Sequence, residues 1–377
     1  MLEEIVEDED AKGDEVSGMD KKTITFFNLQ SVLLDGLPNL KSFFHGTNCE
    51  LHMPSLVRVG VDNCGVSTLF TCSFLQELNQ LEDLVVCNCK LVEGIVADTR
   101  DSEPSDTNDK IITLPKLSLV KLHKLPNLKS FIHGANYELH MPALVDMRVV
   151  NCGLSTLFTC SVLQKLKQLK ELSVDSCRVL EGIVADTKGI EASGTKDKII
   201  MLPKLSSVKL EKLPNLKSFI RGANYELHVP AVVHVGVINC GLSTLFTCSV
   251  LRKLKLLEGL FVDSCELLEG IVADTRGMEA SDTSDKIITL PKLSSDHLDK
   301  LPNLRSFIHG VNYELHMPAL EGMIVANCVL TTLFPCSVFQ TLQQLKWSVV
   351  YECRLLESIG GDARVINTSD TKIFKLP

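Results

Sequence analysis

The stretch Leu37-Pro38-Asn39-Leu40-Lys41-Ser42-Phe43 decides the fold because the chain repeats it. The same residues begin again at Leu125 and Leu213, and once more at Leu301 with an arginine in place of the lysine. Each step is 88 residues, since 125 − 37, 213 − 125 and 301 − 213 are equal. A fixed period of this length indicates duplication of a supersecondary block, and therefore a repeat protein.

Each block of 88 residues contains three shorter units. In the third block, equivalent strand positions fall at Val208, Val235 and Leu260, and the next block resumes at Asp296, with steps of 27, 25 and 36. Apolar residues alternate around these positions, which is typical of a strand with one buried face. A leucine or cysteine then follows, as in the turn of a leucine-rich repeat. Four blocks of three predict about twelve units.

These features together resemble the leucine-rich repeat region of plant nucleotide-binding disease resistance proteins of the coiled-coil class. Besides the repeated stretch, the resemblance rests on the strand-cysteine units, on tails such as Leu267 to Val272, and on the restart Lys-Ile-Ile-Thr-Leu-Pro-Lys-Leu at Lys110 and Lys286. It covers nearly the whole chain. It implies an α/β fold: a right-handed leucine-rich repeat solenoid, or horseshoe, with a parallel concave β-sheet and an irregular convex side with short helices.

The domain organisation follows from the repeat. Residues 23–377 are predicted to form the leucine-rich repeat domain, uncapped at its C-terminus, and residues 1–22 to hold the tail of a truncated unit plus an acidic loop. Similar acidic loops recur at 97–109, 185–197 and 273–285. They are interpreted as solvated excursions, with an acidic docking loop as the alternative. Because neither end shows a polar capping unit, we expect a fragment or a truncated product of a longer gene.

A short helix is predicted after each second unit. In the first block Phe74, Leu75, Leu78 and Leu81 have helical spacing, and Ser73 is the candidate for the N-terminal cap. Loops are expected on the convex side elsewhere.

Twelve of the 14 cysteines fall into three series that recur every 88 residues, and only Cys49 and Cys87 stand outside them. A small apolar thiol suits a buried turn. Neighbours within one series are three units apart, roughly 14 Å, which is too far for a disulfide with Cα atoms within about 7 Å. We therefore expect free thiols and a cytoplasmic protein. The series are Cys64, Cys152, Cys240 and Cys328; Cys72, Cys160, Cys248 and Cys336; and Cys89, Cys177, Cys265 and Cys353.

Composition and motifs argue against several function classes. The net charge of −9 gives no general attraction to nucleic acid or to an anionic membrane, and no apolar run approaches the length of a bilayer span. Phosphate-loop, nucleophile-elbow and zinc-protease motifs are absent. The recurring Glu50 and His52 pair is given a structural role, because copies spread along a solenoid do not converge on one substrate. We predict no enzyme activity, no catalytic residue, no cofactor and no metal site.

The candidate site is the concave face of the sheet. Outward strand residues differ between blocks while inward ones repeat, as a recognition surface requires, although drift on a solvated surface would give the same variation. Exposed aromatic residues are favoured interface anchors. Trp347 is either such an anchor or the mark of a slipped strand, since Ser348 stands where Leu260 stood. The candidate residues are Arg58, Asp62, Arg148, His234, Phe261, Trp347 and Tyr351.

The resemblance implies a role in plant defence, in which the repeats sense a protein and restrain a nucleotide-binding switch. The partner would be a pathogen effector, a guarded host protein, or the receptor's own nucleotide-binding domain in a full-length form. The alternative is a non-immune interaction scaffold, such as the substrate adaptor of a ubiquitin ligase.

One residue departs from the inward pattern. Val32, Val120 and Val208 share a position at which the fourth block has Asp296. A buried carboxylate without a partner is costly. We therefore expect the strand around Asp296 to be short, bent or poorly paired.

Overall fold

A computed structural model describes residues 22–41, 49–97, 110–133, 137–185, 198–221, 225–273, 287–309, 314–334, 336–357 and 372–374. The chain forms two compact units, Met1–Leu169 and Lys170–Pro377. The N-terminal segment 1–21, the acidic loops at 97–109, 185–197 and 273–285 except for the first residue of each, and the last residues 375–377 lie outside the described residues.

The first unit is built from short strands and two one-turn helices. Its elements are β1 (Lys22–Thr25), β2 (Ser31–Asp35), β3 (Cys49–His52), β4 (Arg58–Asp62), β5 (Thr68–Thr71), α1 (Cys72–Glu77), β6 (Asp83–Cys87), β7 (Gly94–Ala97), β8 (Lys110–Thr113), β9 (Leu119–Leu125), β10 (Ser130–His133), β11 (Tyr137–His140), β12 (Asp146–Cys152), β13 (Thr156–Thr159) and α2 (Cys160–Lys165).

The second unit repeats this arrangement. Its elements are β14 (Glu171–Asp175), β15 (Gly182–Ala185), β16 (Lys198–Met201), β17 (Ser207–Leu213), β18 (Ser218–Arg221), β19 (Tyr225–His228), β20 (His234–Cys240), α3 (Cys248–Leu251) after β21 (Thr244–Thr247), β22 (Gly259–Asp263), β23 (Gly270–Ala273), β24 (Ile287–Thr289), β25 (Ser295–Asp299), β26 (Ser306–His309), β27 (Glu314–His316), β28 (Gly322–Ala326), α4 (Cys336–Thr341), β29 (Trp347–Tyr351) and β30 (Lys372–Phe374).

Each unit contains a main parallel sheet made from one strand per repeat. In the first unit the strand order is β2-β4-β6-β9-β12, and in the second it is β14-β17-β20-β22-β25-β28-β29. The register is constant, with Val59 opposite Leu84 in the first unit and Val235 opposite Leu260 in the second. Strand β30 extends the second sheet by pairing antiparallel with β29. The predicted solenoid with a parallel sheet is confirmed in each unit.

The core lies behind each main sheet. The second and fourth residues of the strands point inward and are buried, as in the pairs Val59 and Val61 or Val235 and Val237. The last leucine of each Leu-Pro-Asn-Leu stretch is fully buried in the turn that follows the strand, at Leu40, Leu128, Leu216 and Leu304. Burying a leucine side chain contributes roughly 1.5–3 kcal/mol, so the repeated stretch supplies one such anchor per block.

The connections away from the main sheets contain additional short strands that the sequence analysis did not predict. They form small parallel sheets, β10-β7-β5, β11-β8 and β1-β3 in the first unit. In the second unit the pairs are β15 with β18, β16 with β19 and β24 with β27, and β21-β23-β26 form a three-stranded sheet. The sequence signal for them is weak because each has only three or four residues.

The helices occur once per block, as predicted, but the predicted cap is wrong. Thr71 rather than Ser73 is the N-cap of α1, and its hydroxyl accepts a hydrogen bond from the amide of Phe74 at 3.3 Å. Thr159 caps α2 in the same way. The sequence had pointed to the serine because it directly precedes the apolar run, whereas each helix begins one residue before that serine, at the buried cysteine.

The sixth position, counted from the first residue of each main strand, has a left-handed backbone conformation. It is an asparagine at Asn63 (φ 48°) and Asn239 (φ 52°), and a lysine at Lys212 (φ 52°). Asparagine tolerates this conformation best among residues with a side chain. The turn therefore explains why asparagine recurs directly before the buried cysteine.

A glycine follows that cysteine in the second repeat of the first three blocks, and close packing requires it. A Cβ atom at Gly241 would lie 2.1 Å from the carbonyl oxygen of Pro214, and one at Gly153 would lie 2.2 Å from that of Pro126. The amide of Gly241 also donates a hydrogen bond to the carbonyl of Leu213 at 3.0 Å. The repeated Leu-Pro-Asn-Leu stretch thus packs directly against the next repeat.

The twelve cysteines whose side chains the structure describes are free thiols, and ten of them are buried. Cysteines of different series lie on adjacent repeats, which the spacing argument had overlooked. The amide of Cys64 donates to the thiol of Cys89 at 3.4 Å, and the amide of Cys240 donates to that of Cys265 at the same distance. Burial raises the pKa of Cys89 to about 11 and that of Cys240 to about 12.

Candidate functional site

The outward face of each main sheet is formed by the first, third and fifth residues of its strands. Burial alternates along these strands, so that β4 has exposed Arg58 and half-buried Gly60 and Asp62 on this face. The repeated register places equivalent residues in three rows that run across the strands. Each residue on a row therefore has a neighbour on the next repeat, about 4.8 Å away.

On the first unit the outward face is charged, and its charges are paired locally. Arg58 forms an ion pair with Asp83 on the next strand at 3.4 Å, and Arg148 pairs with Asp146 on its own strand at 2.7 Å. Both arginines are substantially exposed. Exposed pairs of this kind contribute little to stability.

Asp62, a predicted site residue, serves the turn as well. It accepts a hydrogen bond from the side-chain amide of Asn88 at 2.7 Å. The two residues line an open cavity of about 540 Å³ at the carboxyl edge of the sheet, together with Asp35, Lys90 and Lys124 among others. We assign Asp62 a turn-stabilising role alongside its place on the outward face.

The first strands of the second unit are also charged. Glu211 on β17 lies 3.1 Å from Lys209 and 3.0 Å from Lys212. Hydrogen bonds from Lys212 and Lys209 lower the pKa of Glu211, so this carboxylate is ionised at neutral pH. The next strand carries exposed His234, whose ring lies over Gly259 on the following strand, with Nδ1 about 3.0 Å from the position of a Cβ there.

The last four parallel strands of the second unit carry an apolar face instead. The rings of Phe261 and His297, on adjacent strands, stack with centroids 4.4 Å apart and an interplanar angle of 19°. The indole of Trp347 lies over Gly322, where a Cβ would come within 2.0 Å of its Cζ2 atom. Phe261 is 37% exposed and Trp347 is 45% exposed. Tyr351 is half-buried in the third row.

The structure also resolves the two interpretations of Trp347. Its strand keeps the common register, with Trp347 opposite Gly322 and Ser348 opposite Met323. Ser348 therefore points inward and is buried, while Trp347 belongs to the outward face. The seven predicted residues divide between the two units: Arg58, Asp62 and Arg148 lie in the first, and His234, Phe261, Trp347 and Tyr351 lie in the second.

Two further residues, His297 and Ile324, belong to this surface but were not among the seven candidate residues. His297 lies on the outward face of β25, on the opposite side from Asp296. The signal that could have found it is its register position directly beside Phe261. Ile324 is the next residue on the same row, opposite His297.

The buried carboxyl of Asp296 is confirmed, but the predicted distortion of its strand is wrong. Strand β25 pairs over five residues with β22 and with β28. Asp296 is 2% exposed, and neither carboxyl oxygen has a hydrogen-bond partner in the described part of the chain. Burial raises the pKa of Asp296 to about 7. The nearby backbone amide of His297 opposes this rise, but the carboxyl does not form a hydrogen bond with it. The strand thus stays in register although it buries a carboxyl group that is costly when ionised.

The recurring glutamate and histidine residues have different partners in different blocks. His52 lies 2.5 Å from Glu77 on α1, and Lys253 lies 2.5 Å from Glu226. In the other two blocks the glutamate and the histidine are local neighbours. His140 lies 2.8 Å from Glu138 on β11, and His316 lies 3.1 Å from Glu314 on β27. Within the described residues, no group of three or more histidine, cysteine, aspartate or glutamate side chains could hold a metal ion. Within the same residues, no helix combines the length and apolar character needed to cross a bilayer.

The repeated strand, turn and buried leucine define a leucine-rich repeat protein. A family model described as plant disease resistance protein RPS2-like, leucine-rich repeats matches residues 1–90, 47–178, 143–266 and 234–354. The chain therefore belongs to the family of RPS2-like leucine-rich repeats of plant disease resistance proteins. No curated protein sequence matches it significantly.

Two solved structures illustrate more distant similarity. An internalin from Listeria monocytogenes is 13% identical, with 89% of this chain and 88% of the internalin chain covered and a TM-score of 0.29. A chain of the Toll–Spatzle complex from Drosophila is 14% identical, with 78% of this chain and 46% of that chain covered and a TM-score of 0.24. Neither similarity is high enough to bear on function.

Proposed function

We propose that this chain is the protein-recognition repeat region of a plant intracellular immune receptor. It binds a pathogen effector or a guarded host protein through the outward face of its main sheets, and it has no catalytic role of its own. In a full-length receptor the same repeats would contact the nucleotide-binding domain and hold it inactive. Membership of the disease resistance repeat family supports the defence role.

The observation that carries the proposal is the contrast between the two sides of the strands. Inward residues at matched positions are apolar, as in Met147 and Val235, except for Asp296 and Ser348. Outward residues at matched positions change from Arg148 to Gly236 to Ile324. A constant core with a varied surface suits recognition of a protein whose surface is itself complex, since such interfaces combine an apolar centre with polar contacts.

The cytoplasmic location is part of the same proposal. Ten buried free thiols suit a reducing compartment, because disulfides form and persist mainly in oxidising ones. The net charge of −9 gives the chain no general affinity for nucleic acid or for anionic membranes, so a protein is the favoured partner.

The test measures binding of candidate effectors and host proteins to the purified chain. Single substitutions Arg58→Glu, Arg148→Glu, His234→Ala and Phe261→Ala are compared with Lys116→Glu, which is exposed at a turn outside the outward face. We expect at least one outward substitution to weaken binding by about tenfold or more, while Lys116→Glu has no effect. Binding that depends on none of the outward residues, or that depends only on the 185–197 loop, would contradict the proposal. A partner from a ubiquitin-dependent degradation pathway would favour the scaffold alternative.

A further inference from the structure

The last four parallel strands of the second unit carry a continuous apolar patch. We define the apolar patch as five neighbouring residues in the first two outward rows of these strands: Phe261, His297, Ile324, Trp347 and Val349. Stacking joins Phe261 to His297, and Trp347 lies over the backbone of Gly322 next to Ile324. The register places His297, Ile324 and Val349 side by side on successive strands.

The apolar patch is not needed to fill the core. Its side chains point away from the inward residues Leu260, Met323 and Val350, which are nearly fully buried. Phe261 and Trp347 nevertheless remain 37% and 45% exposed. Adjacent exposed aromatic and aliphatic side chains mark interaction sites, and tryptophan and other aromatic residues are the preferred anchors of protein interfaces.

The rim of the apolar patch is acidic. Charged residues stand directly before its strands, at their last positions or directly after them. Five of them are acidic, namely Glu258, Asp263, Asp299, Glu321 and Glu352, and two are basic, namely Lys300 and Lys346.

The two lysines neutralise part of this charge. Lys346 pairs with Glu321 at 2.9 Å, and Lys300 lies 3.4 Å from Asp299 and 3.8 Å from Asp263. In the described part of the chain no ion pair involves Glu258 or Glu352, which are both exposed. They border the patch at its two edges, one before β22 and one after β29. The rim thus has carboxylates available for a cation from outside.

We propose that the apolar patch docks a segment of a partner protein that presents a large aliphatic or aromatic side chain with a lysine or arginine close beside it. This inference rests on the proposed function, and it assigns the partner's anchor to the second unit. The apolar side chain covers Phe261 and Trp347, and the cation pairs with a rim carboxylate. Desolvation of the anchor supplies affinity, and the charge pairing fixes its orientation.

Charge complementarity disfavours the other occupants. A nucleic acid would bring phosphates to an acidic rim, where like charges repel. A second copy of this chain would bring the same acidic rim to itself if the two patches met face to face. Both remain outcomes of the test below.

The test uses the whole chain as bait for a library of random twelve-residue peptides, followed by affinity measurements on the enriched peptides. The variants are Phe261→Ser, Trp347→Ser and Glu258→Lys, with Leu33→Ser as the control. Leu33 is an apolar outward residue of the first unit that is 77% exposed and lies over Gly60 much as Trp347 lies over Gly322. Circular dichroism and urea midpoints establish that every variant folds.

We expect the enriched peptides to share a large apolar residue within two positions of a lysine or arginine. Phe261→Ser and Trp347→Ser should each weaken binding by about tenfold or more. Glu258→Lys should weaken it by about threefold and reduce its dependence on salt. Leu33→Ser should leave the affinity unchanged.

Other results would overturn the inference. These are enriched peptides without a basic residue, equal loss with Leu33→Ser, or binding of an oligonucleotide that competes with the peptides. Self-association that Trp347→Ser abolishes, seen by sedimentation, would assign the patch to a second copy. Binding that moves to Arg58 or Arg148 would overturn this inference alone, whereas binding that ignores every outward substitution would also overturn the proposed function.

Discussion

Replacement of Asp296 by valine should stabilise the protein, and the gain should grow with pH. The neighbours of Asp296 on the inward row are Leu260 and Met323, and Ser348 follows beyond them, so no charged group of the adjacent strands faces the carboxyl. Valine restores the residue found at the equivalent positions Val120 and Val208. Removing a buried polar group without partners stabilises by about 1–3 kcal/mol.

The pH dependence follows from the raised pKa. In the folded protein the pKa of Asp296 is about 7, against 3.8 for the ordinary side chain. Between these values the folded state binds more protons than the unfolded state, so stability falls as pH rises and levels off above about pH 7. One pKa unit corresponds to about 1.4 kcal/mol. From pH 5 to pH 8 the native protein should therefore lose up to about 3 kcal/mol that Asp296→Val does not lose.

The assay is urea unfolding followed by circular dichroism, for the native protein, Asp296→Val and Asp296→Asn at pH 5 and pH 8. Other titrating groups are common to all three proteins, so the difference between variants isolates this carboxyl. Asp296→Asn should lose the pH dependence without the full gain of valine. Asp299→Asn is the matched control, because Asp299 is paired with Lys300 and Asn327. An advantage of Asp296→Val that is absent, or equal at both pH values, would refute the reasoning.

Three further predictions concern the repeat itself. Gly241→Ala should destabilise the protein by about 1–3 kcal/mol, because the new Cβ atom would clash with backbone. Gly236→Ala should change the stability by no more than about 1 kcal/mol, because its Cβ atom would have no neighbour closer than 4.0 Å. Urea midpoints measure both changes. Thr159→Ala should cost about 1 kcal/mol by removing the cap of α2, and Ser161→Ala much less, in thermal unfolding. The buried thiols of the folded protein should react slowly with a maleimide at pH 7.5, since burial raises the pKa of Cys240 to about 12. The same thiols should react quickly in urea. An intact mass that shows several disulfides would contradict this prediction.

The main sheet could be predicted from the sequence because its signal is repeated. Val208 and Leu210 alternate with polar residues, and the same pattern returns at a fixed spacing. A strand whose own pattern is weak can therefore be located from the equivalent strands of the other repeats. The short strands between the main ones could not be predicted. Segments such as Gly182–Ala185 are four residues long and buried on both faces, and they have no alternation to detect.

The sequence predicted which face of the sheet the candidate residues occupy, but it did not predict which groups their side chains contact. The register identified Phe261 and Trp347 as outward residues, yet it said nothing of how their rings lie. The stacking of Phe261 on His297 and the cover of Gly322 by Trp347 depend on side-chain rotamers and on the neighbouring strand. The adjacency of Cys240 and Cys265 was likewise missed, because the spacing was compared within each cysteine series and not between series.

The most direct test of the central claim, recognition of a protein by the outward face, is site-specific photo-crosslinking in plant cells exposed to a pathogen. A photoreactive phenylalanine analogue is placed at Arg148 or Phe261 on the outward face, and at Lys116 as the control. We predict that at least one outward position forms adducts with a pathogen or host protein, identified by mass spectrometry, and that Lys116 does not. Adducts from Lys116 alone, or no adduct from either outward position in cells that respond to the pathogen, would contradict the account.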